Sequence, residues 1–184
     1  MPEFGDGNVS LVIGDGRGLL FGLIHQNTRN RIITINLQQA LLIDFLATRG
    51  FVSNEETVLV EEDGELADVL GSEDYRCIMV RADNHRLLRE ANVHTAFAIN
   101  CLQEMNPATV SCYFDALRNN NSRDLYFYCV NRIEKRLHDG TLNRFLDYPW
   151  QGDDQILVDG PCPWYTKYYT FRPPFYREYD GPVV

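Results

Sequence analysis

Apolar residues fall in short runs along this chain, separated by Gly, Asp and Asn. Val9–Ile13, Leu19–His25 and Ile32–Ile35 are such runs, divided by GDGRG (Gly14–Gly18) and QNTRN (Gln26–Asn30). Runs of that length between turn-forming residues predict an N-terminal antiparallel β-sheet folded as a meander. NLQQALLIDFLATRG follows, with Asn36 and Gln39 at capping-box spacing and Gly50 placed to end a helix. Leu37–Arg49 is therefore predicted as helix. At about 100° per residue its Leu37, Ala40, Leu41, Leu42, Ile43, Phe45 and Leu46 surround the axis, interrupted only by Gln38, Gln39 and Asp44. A helix of that kind calls for cover on more than one side, by the sheet and by later helices or a second chain.

Thr57–Val60 and Tyr75–Val80 read as further strands, and EEDGE (Glu61–Glu65) as a turn. From residue 85 the period becomes helical. Leu87, Ala91, His94, Ala98, Leu102 and Met105 mark one face of a long helix, closed by Asn106-Pro107. Asn106 caps a second helix with Pro107 at its first position, running through Val110, Tyr113, Phe114 and Leu117. Ser122 begins a third, with Leu125, Cys129, Ile133 and Leu137 inward and Gly140 as its stop. From Tyr148 onward lie six of the chain's eight prolines and ten of its 22 aromatic residues, which predicts an extended arm whose rings dock on the body or on a neighbour. The expected fold class is α+β: an antiparallel sheet packed on a central apolar helix (1–84), a three-helix block (85–147) and a C-terminal arm (148–184), within one globular unit.

Composition limits what such a chain does. With 184 residues, 45% of them hydrophobic, it can bury a sizeable core, and no apolar run reaches the roughly 18 residues that span a bilayer. The N-terminus MPEFGDG carries acid where a secretory signal carries Lys or Arg, so an intracellular, cytoplasmic location is expected. Five cysteines without a close pair fit reduced thiols. The net charge of −9 is concentrated in residues 51–84, where ten acids face two arginines. Phosphate affinity comes from clustered cations, so that segment is excluded as a nucleic-acid contact.

Candidate chemistry is sparse. Glu90, His94 and Cys101 stand at helical spacings, the residue types of a cysteine nucleophile with its base, but seven residues along one helix is about 10 Å, too far for a Cys–His hydrogen bond. No ligand pair of metal-site spacing occurs near Cys77, His85 and His94, so no metal and no cofactor are expected. GDGRG is glycine-rich, yet between two strands it lacks the helix N-terminus that cradles phosphate. Arg17, Arg29 and Arg31, with Phe21 on an adjacent strand, could pair phosphates and stack bases on an open sheet.

The order strand–strand–strand–helix, with ITINLQQALLIDFL in the last two places, resembles the sheet-plus-helix unit of single-strand-binding transcriptional coactivators. It is also similar to the opening of response-regulator winged helices. Both likenesses imply nucleic-acid binding through the first 50 residues or so, although 51–84 is acidic where a basic recognition helix would stand. The leading expectation is different: a non-enzymatic protein–protein interaction or assembly protein, a complex subunit or homo-oligomer. It would act through Trp150, Trp164, Tyr165, Tyr168, Tyr169, Phe171, Phe175 and Tyr176 of the arm. A single-strand-binding regulator and a Cys/His enzyme are the alternatives.

Overall fold

In the computed structural model, which describes residues 8–122, 124–163, 167–178 and 182–183, the N-terminal runs do not fold back on one another. β1 (Val9–Ile13) leads into α1 (Leu19–Asn27), and the chain returns as β2 (Arg31–Asn36) parallel to β1, with Val9 opposite Arg31 and Ile13 opposite Ile35. α2 (Gln38–Thr48), β3 (Thr57–Val60), α3 (Glu65–Gly71) and β4 (Cys77–Arg81) follow, and β4 pairs in parallel with both β2 and β3. A 3-10 segment, Ala82–Glu90, leads to β5 (Val93–Ile99), and α4 (Pro107–Arg118) to β6 (Tyr126–Arg132). Three short pairs remain: the hairpin of β7 (Glu134–Arg136) and β8 (Leu142–Arg144), the pair β9 (Lys167–Tyr169) and β10 (Tyr176–Glu178), and β11 (Pro182–Val183), antiparallel to β6. The main sheet has the order β11-β6-β5-β1-β2-β4-β3, its six longer strands all parallel.

The expected antiparallel N-terminal sheet is thus corrected to a parallel α/β sheet. Strands buried on both faces read as continuous apolar runs, whereas a half-solvated meander alternates. β1 is buried at all five positions and β2 at its four central ones. Leu19–His25, expected as a strand, is helix α1: Phe21 and Ile24 face inward while Leu19 and Leu23 face out, a period of three to four. The likenesses to coactivator and winged-helix units rested on the order strand–strand–strand–helix and lose that basis, because the second element is helix α1.

The three-helix block is corrected as well. Its second helix is present as α4, where the Thr109 N–H donates to Asn106 Oδ1 at 2.8 Å, the expected cap. The long first helix is instead the 3-10 segment plus β5, whose VHTAFAI buries Val93, Thr95, Ala96 and Ala98. The third is β6, an aromatic and β-branched YFYCVNR run that strands favour.

The chain divides into two compact units, Met1–Phe97 with Cys112–Phe127, and Ala98–Ser111 with Tyr128–Val184. In the first, Val12, Phe21, Ile24, Ile32, Leu41, Val52, Cys77 and Met79 form the core cluster. α2 does not bury the side its composition favours. Leu41, Asp44 and Thr48 are buried, while Leu42, Ile43 and Leu46 are more than half exposed. Asn36 is not a helix cap; it ends β2, and Leu37 precedes the helix without a side-chain cap. In the second unit, Trp150 packs on Phe145 with ring centroids 5.4 Å apart and donates its indole N–H to the Phe145 carbonyl at 3.0 Å. No helix among the described residues is long and apolar enough to cross a membrane.

Arg76, at the entry to β4, closes the far end of α1. Its guanidinium donates to the carbonyls of His25 (2.8 Å), Asn30 (3.3 Å) and Thr28, supplying partners that helix and turn carbonyls otherwise lack. Replacing Arg76 with Met keeps the apolar stem and removes these donors. Denaturant unfolding should show a loss of about 1–3 kcal/mol; an unchanged midpoint would mean that water replaces the guanidinium without cost.

Candidate ligand cradle at the first strand–helix turn

The order of the parallel strands reverses beside β1: β2 lies on one side of it and β5 on the other. The Val9 N–H donates to His94 Nδ1 at 3.3 Å, and the Ser10 and Thr95 hydroxyls meet at 2.9 Å. In open parallel sheets, ligands sit beyond the carboxyl ends of the strands where the order reverses. The carboxyl end of β1 is Gly14–Gly18. The loop therefore does lead from a strand into a helix, and the ground on which a phosphate cradle was excluded does not hold.

Its glycines have distinct duties. Gly14, Gly16 and Gly18 all have positive φ, at 69°, 73° and 65°. A side chain at Gly18 would stand 3.2 Å from Thr48 Cγ2 and 3.4 Å from Ala47 Cβ, so Gly18 lets α1 approach α2 closely. At Gly16 nothing lies within 4 Å of such a side chain, so the exposed backbone there is open to a ligand.

Three N–H groups at this turn and the start of α1 are already engaged by carboxylates. The Leu20 and Phe21 N–H groups, at the start of α1, donate to Asp15 Oδ1 and Oδ2 at 3.1 and 2.8 Å. The Gly18 N–H donates to Asp44 Oδ1 at 3.1 Å, and Asn36 Nδ2, at the end of β2, donates to Asp44 Oδ2 at 2.9 Å. Asn36 Oδ1 accepts from the Leu37 N–H at 2.9 Å. Asp44 is 1% exposed, and its burial holds the carboxyl above the usual carboxylate range; the Asp15 charge pushes the same way against the Asn36 and glycine hydrogen bonds. A phosphate at this helix N-terminus would have to displace Asp15, with the buried Asp44 carboxyl behind it.

The other sequence-derived candidates are scattered. Arg17 is exposed on this turn, whereas Arg29 and Arg31 line a recess of about 710 Å³ at the amino ends of β1 and β2, and Phe21 is 1% exposed in the core. The four do not share a surface. Arg31 donates to the Leu70 carbonyl, and the recess also carries Glu56, Glu73, Asp74 and Glu90. His94 sits on β5, not on a helix with Glu90 and Cys101, and its Nδ1 is engaged by Val9. Burial pushes the thiols of Cys77 and Cys129 up to about 12 and that of Cys101 higher still, which keeps them protonated and unreactive. Among the described residues, no group of three His, Cys, Asp or Glu could hold a metal ion. Of the arm's rings, Phe171, Phe175 and Tyr176 are exposed, Trp150 docks on Phe145, and Tyr168 and Tyr169 lie in β9; Trp164 and Tyr165 lie outside the described residues.

Sequence reasoning missed a polar group in the second unit. Gln103, Asn131 and Asn143 are all at least 96% buried. Asn131 Oδ1 accepts from the Gln103 N–H (3.0 Å), Gln103 Oε1 accepts from the Arg132 N–H (2.8 Å), and Asn143 Nδ2 donates to the Leu102 and Met105 carbonyls (2.8 and 2.6 Å). Of the three, Asn131 carried a signal: β2, β5 and β6 run out as ITIN, FAIN and CVNR, each with an Asn at or beside its carboxyl end. No family model, curated protein or solved structure matches the chain.

Asp44 gives the cradle a pH signature. Because the fold raises its pKa, its contribution to stability is present while it is protonated and is lost as pH rises through that raised value. Asp44→Asn has no such loss. Between about pH 4 and pH 7, the melting temperature of the variant relative to the native chain should climb with pH; a constant difference would show that the carboxyl titrates normally.

Proposed function

We propose that this protein binds a nucleoside cofactor with a cationic reactive end at the carboxyl ends of its parallel strands, and that it is a group-transfer enzyme. The observation that carries the reading is the glycine turn whose helix N-terminus is closed by Asp15 and Asp44. Position and glycine pattern favour a nucleoside ligand at such a turn; the two carboxylates disfavour the pyrophosphate of a dinucleotide. S-adenosylmethionine combines a nucleoside with a sulfonium and an ammonium, and the reaction it supports is alkyl transfer. Asp15 would face the positive groups with the buried Asp44 carboxyl behind it, the open backbone at Gly16 would admit close approach, and Asn36 would present its amide at the end of β2.

A second reading keeps the C-terminal arm as a partner-binding device. It is favoured by the exposure of Phe171 (92%), Tyr176 (67%) and Phe175 (51%), large rings that soluble surfaces rarely present together. In that reading the chain assembles with a protein partner or with itself, and the acidic stretch within 51–84 steers a basic partner.

Thermal unfolding of the full chain tests the first reading. S-adenosylmethionine should raise the melting temperature, by about 2.7 kcal/mol of stabilisation at a hundredfold excess over Kd, and ADP or NAD should not. Asp15→Asn should weaken the effect about tenfold. Stabilisation by ADP in preference to S-adenosylmethionine would contradict it. For the second reading, a Phe171→Ser, Phe175→Ser, Tyr176→Ser chain should sediment at lower mass than the native one if the arm joins copies. Equal masses would remove self-assembly through these rings.

A further inference from the structure

We infer that Asn100, immediately beyond β5, is a binding residue for a ligand group that presents a donor and an acceptor side by side, as a primary carboxamide or the amino edge of adenine does. Two independent observations meet at this position. Asn100 is the one non-glycine among the described residues with positive φ, at 55°, a conformation that L side chains avoid and that Asn tolerates best. Both polar atoms of its side chain, Oδ1 and Nδ2, are buried without a hydrogen-bond partner. A satisfied fold leaves few such groups, and strained backbone persists where the surroundings hold it for use.

The contrast with its surroundings sharpens the point. In the same unit, the amides of Gln103, Asn131 and Asn143 are engaged with backbone or side-chain partners. The Asn100 backbone is engaged too, its N–H donating to the Val130 carbonyl at 2.7 Å. The main chain is therefore pinned and the amide head alone is left over. The head itself has no exposed surface, while the residue as a whole is half-buried. An amide offers one acceptor and two donors in a plane, the complement of adenine N6/N7 or of a second carboxamide. The inference is carried by the second unit alone and stands apart from the glycine turn.

The test uses the full chain, native and with Asn100→Gly or Asn100→Asp, and titrates adenosine, inosine and nicotinamide by calorimetry. Glycine suits the positive φ, so the Gly variant should fold with a melting temperature no lower than native. Adenosine binding the native chain more tightly than inosine, whose O6 replaces the amino donor, identifies a nucleobase; nicotinamide binding identifies a carboxamide. Either should weaken about tenfold or more in both variants. Equal affinity in the native chain and the Gly variant, or no binding of any probe to the native chain, would overturn the inference.

Discussion

Asp44 carries a carboxylate from the middle of α2 into the interior and joins three elements there. One oxygen takes the Gly18 N–H at the start of α1, and the other takes the Asn36 amide at the end of β2. Burying a carboxylate is costly, and these hydrogen bonds together with the close glycine contact offset that cost. The rotation of α2 follows from it. With Asp44 inward, Leu41 and Thr48 share the buried stripe and Leu42, Ile43 and Leu46 turn to solvent. The chemistry of the first strand–helix turn follows as well, because the same carboxylate, with Asp15, gives that turn negative character where a phosphate site would be positive.

What was legible in the sequence was mostly the position of apolar segments. β1, β2, β3, β4 and α4 lie where apolar runs and the Asn106-Pro107 pair placed them. Strand direction was not legible. A parallel connection needs a helix, and the nine residues Leu19–Asn27 contain a leucine-rich run that also reads as a strand. VHTAFAI misled in the opposite sense, since His94 and Ala98, four apart, continue the helical spacing of Leu87, Ala91, Leu102 and Met105. YFYCVNR carried a strand signal in its aromatics that helical spacing overrode.

The site was hidden for a different reason. In the sequence Asp44 is an interruption in an apolar helix; in the fold it is the buried carboxyl of α2. GDGRG reads as a hairpin loop only while the run after it reads as a strand. Once α1 is a helix, Gly16 and Gly18 acquire duties, and Asp15 becomes the residue that closes the helix N-terminus. Asn36, Asn100 and Asn131 share one pattern: a polar residue held at or beside the carboxyl end of a parallel strand.

The most direct test of the central claim follows the backbone amides of Gly16 and Gly18 in a two-dimensional NMR titration of the full chain. With S-adenosylmethionine, both should shift in a saturable manner. With ADP at the same concentrations they should stay in place. Movement of these amides with ADP and none with S-adenosylmethionine would show that the turn receives phosphate after all, and that Asp15 and Asp44 do not set its preference.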